Sequence, residues 1–149
     1  MNPEEAYMHA KENGPSEETR EIACEDPGYA YLYAMDVDQC PRDDTRNAAC
    51  KDPEYAYYYA EDVDEEPKED TRNAACQDAW NAYYYAADID KAPREDTRKA
   101  ACKDPEYAYG YAEDIDKSFH EDTWEAVKNT IWEEKYKAFV NSIMKEEIL

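Results

Sequence analysis

Branched and aromatic core formers are scarce in this sequence of 149 residues: Leu, Ile, Val and Phe together number 14. A chain so poor in them, with a formal net charge of −21, has the composition of a disordered protein. Basic residues are few as well, 17 Lys and Arg against 38 Asp and Glu. That shortage excludes a nucleic-acid binder working by phosphate neutralisation and opposes docking on anionic membranes. No run approaches 18 apolar residues, so no membrane-spanning helix is expected. Met1-Asn2-Pro3-Glu4-Glu5 lacks the basic start and apolar stretch of a secretory leader, which makes the cytosol the expected compartment. Three glycines leave no phosphate-cradling loop, and the two histidines, His9 and His120, have no metal-ligand spacing to a cysteine. No Ser/His/Asp or Cys/His arrangement is suggested, and no enzyme chemistry, cofactor or metal is expected.

What opposes disorder is repetition. Thr19, Thr45, Thr71, Thr97 and Thr123 fall 26 residues apart, as do Cys24, Cys50, Cys76 and Cys102. A fixed period of this size signals stacked supersecondary units. Four units cover residues 17–120, a half unit precedes them in 1–16, and a divergent segment, 121–149, caps the array in one α-solenoid domain.

Each unit reads as two short helices. Asp44 is the expected N-cap of the first, over about 45–51. Asp52-Pro53-Glu54 opens the second, over about 53–62, with Asp as cap and Pro at the first helical position. Ala56, Tyr59, Ala60 and Val63 recur at helical spacing and predict the buried stripe, in which small Ala permits close helix packing and Tyr supplies buried area. The slot holding Leu32, Tyr58, Tyr84 and Gly110 tolerates such different side chains that a surface position is expected. In the cap, Asp122 with Glu125 and Thr130 with Glu133 fit capping boxes, predicting helices from about 123 and about 131. The second carries the stripe Tyr136, Phe139, Val140, Ile143 and Met144, while Trp124 stands where the units have Arg.

The string Ala48-Ala49-Cys50-Lys51-Asp52-Pro53-Glu54-Tyr55-Ala56-Tyr57-Tyr58-Tyr59-Ala60 resembles a family of short helical-hairpin repeats of unassigned function, common in bacteriophage, giant-virus and bacterial proteins. The resemblance implies an α-solenoid fold and a phage origin, and supplies no catalytic residues. This chain departs from it in being Tyr-rich and very acidic.

The periodic cysteines, one repeat apart at roughly 9–10 Å, are too distant for disulfides or shared zinc, and read as small buried thiols. Cys40 breaks the period in a loop and is expected to be exposed. Asp-x-Asp recurs at Asp36/Asp38, Asp62/Asp64, Asp88/Asp90 and Asp114/Asp116. The loops lack the glycine and terminal bidentate Glu of a calcium loop. One Asp of each pair is expected to meet the repeated Arg20, Arg46, Arg72 or Arg98 and tie neighbouring units.

Charge then carries the functional reading. The unit 43–68 holds −6, the most of any. A rod of about 40–50 Å spans a length of duplex bearing about 25 phosphates, similar in size to the net charge. The expectation is a monomeric or weakly dimeric phage-encoded inhibitor that mimics DNA and occupies the channel of a basic host protein such as a CRISPR effector or restriction nuclease in the infected cell. It would bind neither nucleic acid nor membrane. Asp62, Asp64, Glu65, Glu66 and Asp70 form the expected centre, with Asp36 and Asp38 beside them. The alternative is a Tyr-rich interaction scaffold in which Tyr31, Tyr57, Tyr58, Tyr83 and Tyr84 supply hot spots and charge serves solubility.

Overall fold

A computed structural model describes residues 1–148, and it is an all-α repeat protein of the solenoid class, without a strand among the described residues. The chain divides into two compact units, Met1–Ala75 and Cys76–Leu149. The first contains α1 (Pro3–Asn13), α2 (Glu17–Ala23), α3 (Pro27–Leu32), α4 (Asp43–Ala49), α5 (Pro53–Tyr59) and α6 (Glu69–Ala75). The second contains α7 (Ala79–Tyr84), α8 (Glu95–Ala101), α9 (Pro105–Gly110), α10 (Glu121–Val127) and α11 (Glu133–Ile148). Within each unit the second helix of one repeat packs on the first helix of the next, as α3 does on α4 and α9 on α10.

The second helices start as the sequence suggests. Asp52 accepts hydrogen bonds from the Glu54 and Tyr55 N–H groups, and Pro53 fills the first position, where no donor is needed. The first helices begin earlier than expected. α4 opens at Asp43 with extended Arg42 as the cap residue, and Asp44 instead accepts from its neighbour Thr45 N–H while pairing with the Arg42 guanidinium. Each first helix therefore starts on an exposed acidic residue next to the positive end of the helix dipole.

A feature without a local sequence signal ends the second helices. α3, α5, α7 and α9 run on into π-helical turns, Tyr33–Asp38, Ala60–Asp64, Tyr85–Asp90 and Tyr111–Asp116. Each turn stops at a left-handed residue, Gln39, Glu65, Lys91 or Lys117, with φ of 53–55° and no glycine to ease it.

The core is built from alanines around one tyrosine per repeat. Ala34 of the preceding repeat, Ala49 of α4 and Tyr59 form one fully buried cluster, and Ala86, Ala101 and Tyr111 form its counterpart in the second unit. The buried phenol is not left unsatisfied. Tyr59 Oη accepts the Arg42 N–H at 3.0 Å, and lies 2.8 Å from Thr45 Oγ1 and 3.1 Å from the Arg42 carbonyl oxygen. Tyr33 with Thr19, Tyr111 with Thr97 and Tyr136 with Thr123 repeat this clasp. The invariant threonine of the period is thus the polar partner that lets a tyrosine lie in the core.

The C-terminal pair keeps the clasp and alters what surrounds it. Trp124 lies 5.7 Å from the Tyr136 ring, where the Arg98 guanidinium lies 5.5 Å from Tyr111. Val127 replaces the alanine of the other first helices in the core. His120 caps α10 by accepting the Asp122 N–H, so Asp122 is not the cap. Glu133 accepts from the Asn129 N–H rather than from that of Thr130, and α11 starts two residues later than expected. Met144 is exposed and lies outside the buried stripe that Tyr136, Phe139 and Val140 form.

Candidate protein-binding surface

The π turns decide what the Asp-x-Asp pairs do. In the turns Tyr33–Asp38, Ala60–Asp64 and Tyr111–Asp116 the two aspartates point to different partners, and both are used inside the protein. Asp64 accepts three contacts of 2.6–3.2 Å from Arg46, with the side chains 0% and 8% exposed. Asp38 with Arg20 and Asp116 with Arg98 are copies of it, 4% exposed at the aspartate and 12% at the arginine. The Asp64 carboxylate, through these hydrogen bonds, raises the Arg46 pKa above its ordinary range. These arginines and aspartates belong to the same repeat, 18 residues apart, so they brace a hairpin and do not tie neighbours as expected.

The other aspartate makes the tie. Tyr31 Oη donates to Asp62 of the following repeat at 2.6 Å, and Tyr7 to Asp36 and Tyr83 to Asp114 do so at 2.5 Å. Burial, then the Asp36 carboxylate, pushes the Tyr7 phenol up to about 12. The same causes raise Tyr31 and Tyr83 further. Unlike Asp38 and Asp64, Asp36 and Asp62 remain exposed, and each carboxylate keeps free lone pairs.

The expected acidic centre is therefore split. Asp64 and Asp38 are framework residues with no surface to offer. Glu65 is exposed at its left-handed position, Glu66 is exposed beside Lys68 at 3.1 Å, and Asp70 is exposed while accepting the Thr71 N–H. Sequence reasoning passed over Asp43, whose side chain is 95% exposed although it reaches Arg46 at 2.8 Å, and the exposed Glu61 and Glu69. Their signal was positional: they flank the loops at the starts of first helices and in the π turn.

The tyrosine surface is smaller than expected. Tyr57 is 6% exposed and belongs to the core. Tyr58 is half-buried, its ring near those of Tyr31, Tyr55 and Tyr57, and its hydroxyl donating to Glu54. Tyr84 is half-buried against Trp80 and Tyr83. The slot they share with Leu32 and Gly110 is thus not a free surface position. At Gly110 a Cβ would lie 3.2 Å from the Tyr83 ring, so a side chain there would need that ring to move by a few tenths of an ångström.

The cysteines sit at the C-terminal ends of the first helices and are half-buried rather than fully enclosed, with Cys40 exposed. Burial pushes the Cys24 and Cys102 thiols up to about 11 and Cys50 up to about 12, away from thiolate chemistry. No group of three metal-ligating side chains comes together among the described residues, and no described helix is long and apolar enough to cross a membrane.

Charge is distributed unevenly between the two units. Residues 1–75 expose eighteen carboxylate side chains against three cationic ones, Lys11, Arg42 and Lys51. Among the described residues of 76–149 the corresponding numbers are ten and eight. The asymmetry is in the sequence itself, with 21 Asp and Glu against 7 Lys and Arg in residues 1–75 and 17 against 10 in 76–149; the buried Arg–Asp braces of both units are neutral and leave it unchanged. Comparison with protein-family models, with curated proteins and with solved structures gives no match.

Proposed function

We propose that this chain is a non-enzymatic binding protein whose first unit presents carboxylates to a basic, nucleic-acid-binding partner in place of that partner's own ligand. The observation behind the reading is the excess of eighteen exposed carboxylates over three exposed cations in residues 1–75, held on a repeating helical framework. An ordered acidic surface attracts a basic channel at long range and competes there with phosphates. Asp36, Asp62, Glu65, Glu66 and Asp70 carry the contacts, joined by Asp43, Glu61 and Glu69. The fitting partner class is a DNA-handling enzyme such as a CRISPR effector or restriction nuclease, and the fitting source a phage that must disarm it.

The test is retention and displacement. Host extract is passed over the immobilised chain at about 50 mM salt, where exposed charge pairs act over long range. The proposal requires that the retained proteins bind DNA, that duplex DNA displace them, and that they elute by about 500 mM salt. Retention that survives both DNA competition and high salt overturns it and favours an apolar, tyrosine-anchored interface.

A further inference from the structure

Tyr31, Tyr55 and Tyr58 form a closed triangle on α3 and α5, with ring centroids 6.1, 5.9 and 6.1 Å apart and all three side chains half-buried, none enclosed in the core. The rings are tilted to one another by 37°, 36° and 67°. We propose that this triangle is a seat for an arginine side chain of the partner, within the acidic surface proposed above and resting on that reading.

Geometry supports the seat first. A cation about 4 Å above the centre of such a triangle lies about 5 Å from all three centroids, inside the ~6 Å reach of ring quadrupoles. Two of the three phenols donate to carboxylates, Tyr31 to Asp62 at 2.6 Å and Tyr58 to Glu54 at 2.9 Å. Those bonds add electron density to the rings and set negative charge at the rim. A guanidinium, planar and weakly hydrated, stacks on aromatic faces better than an ammonium does.

The chain itself shows how such a ring takes a cation. Tyr7 is the counterpart of Tyr31 in the half repeat, with its hydroxyl on Asp36 as that of Tyr31 is on Asp62. Four residues on, Lys11 places Nζ 5.4 Å from the Tyr7 centroid. At the other end of the chain Lys135 lies 5.0 Å from the Trp132 ring. At Tyr31 the residue four positions on is Met35, whose sulfur lies 3.1 Å from the hydroxyl, so no internal cation is supplied there. Gly28 helps to place the third ring, since a Cβ at that position would lie 2.9 Å from Tyr55 Cζ.

The test uses the full chain and a ten-residue peptide of alternating Arg and Gly, with its citrulline counterpart as the uncharged control. Tyr58→Leu is the informative variant, because the preceding repeat carries Leu32 in that slot and folds with it. The arginine peptide should bind, shift the Tyr31, Tyr55 and Tyr58 ring resonances, and bind about fivefold to tenfold more weakly to Tyr58→Leu with circular dichroism unchanged. The triple variant Glu61→Gln, Glu65→Gln, Glu66→Gln should weaken binding and flatten its salt dependence. If Tyr58→Leu binds within twofold of the parent while the glutamate variant weakens binding, the aromatic seat is wrong and the acidic surface stands. If Tyr58→Leu weakens binding and the glutamate variant is silent, the seat stands and the acidic reading falls. Failure of the arginine peptide to outbind its citrulline counterpart overturns both.

Discussion

Replacing Asp64 by Asn separates framework charge from surface charge. The substitution keeps the shape and one acceptor oxygen but removes the charge facing Arg46, whose guanidinium approaches Asp64 as closely as 2.6 Å with both side chains nearly or fully buried. Breaking a buried ion pair by neutralising one partner costs about 3–5 kcal/mol, because the other charge stays in a poorly solvated site. The acceptor that Asn retains, and the 2.8 Å contact from Arg46 to Asp43, soften the loss toward about 3 kcal/mol. With a urea slope of about 1–3 kcal/mol per molar, the midpoint should fall by about 1–3 M. Urea unfolding followed at 222 nm measures it. The controls are Glu65→Gln and Glu66→Gln, exposed neighbours one and two residues on, each expected to stay within about 0.5 kcal/mol of the parent. An Asp64→Asn midpoint within about 0.3 M of the parent would refute the reasoning, since it would mean the pair is solvated and Asp64 belongs with its neighbours after all.

Three further outcomes follow from the same contacts. Tyr59→Phe removes the hydroxyl that accepts the Arg42 N–H and meets Thr45, and should destabilise by about 1–3 kcal/mol in the same urea assay; an unchanged midpoint would mean water replaces the phenol. A thiol reagent should label Cys40 fastest and the half-buried Cys24, Cys50 and Cys102 slowly until denaturant is added, and equal native rates would contradict their burial. Tyr7 and Tyr109 are both raised to about 12 by burial, followed by their carboxylate partners, so folding favours their neutral forms. The stabilisation is complete below the ordinary phenol pKa of about 10 and is lost as pH rises to about 12. Phenolate absorbance should therefore rise late and together with loss of helix, whereas ionisation centred on about pH 10 with helix retained would remove this account.

Much of this fold was legible in the sequence because its signals are periodic and local. The 26-residue spacing gave the hairpins, Asp52-Pro53 gave a helix start, and Ala56, Tyr59 and Ala60 gave a buried stripe that lies at 0% exposure. The π turns were hidden. A shift from one hydrogen-bond register to the next leaves no residue preference, and the left-handed stop falls on Gln, Glu or Lys where glycine would have announced it. That omission accounts for the misplaced aspartates. A simple loop would expose both members of Asp62-x-Asp64, whereas the extra residue per turn sends one beneath its own hairpin and the other toward the next. Tyr57 escaped for a different reason. In a second helix with tyrosine at 55, 57, 58 and 59, periodicity marks the face of Tyr59 and cannot rank the others.

The two kinds of braces divide the labour in a way that bears on how such a chain changes length. Arg46 finds Asp64 within residues 43–68, and Tyr59 finds Thr45 there too, so the side-chain partners that close the hairpin lie in one 26-residue block, with only the backbone of Arg42 supplied from the block before. One polar link to the next block reaches a position that the blocks repeat, as Tyr31 of one block meets Asp62 of the next. A tandem duplication of residues 43–68 would therefore bring its side-chain braces with it, and the backbone of Lys68 would stand where Arg42 stands for the first copy. Each added copy of this block would bring a further −6 of charge with it.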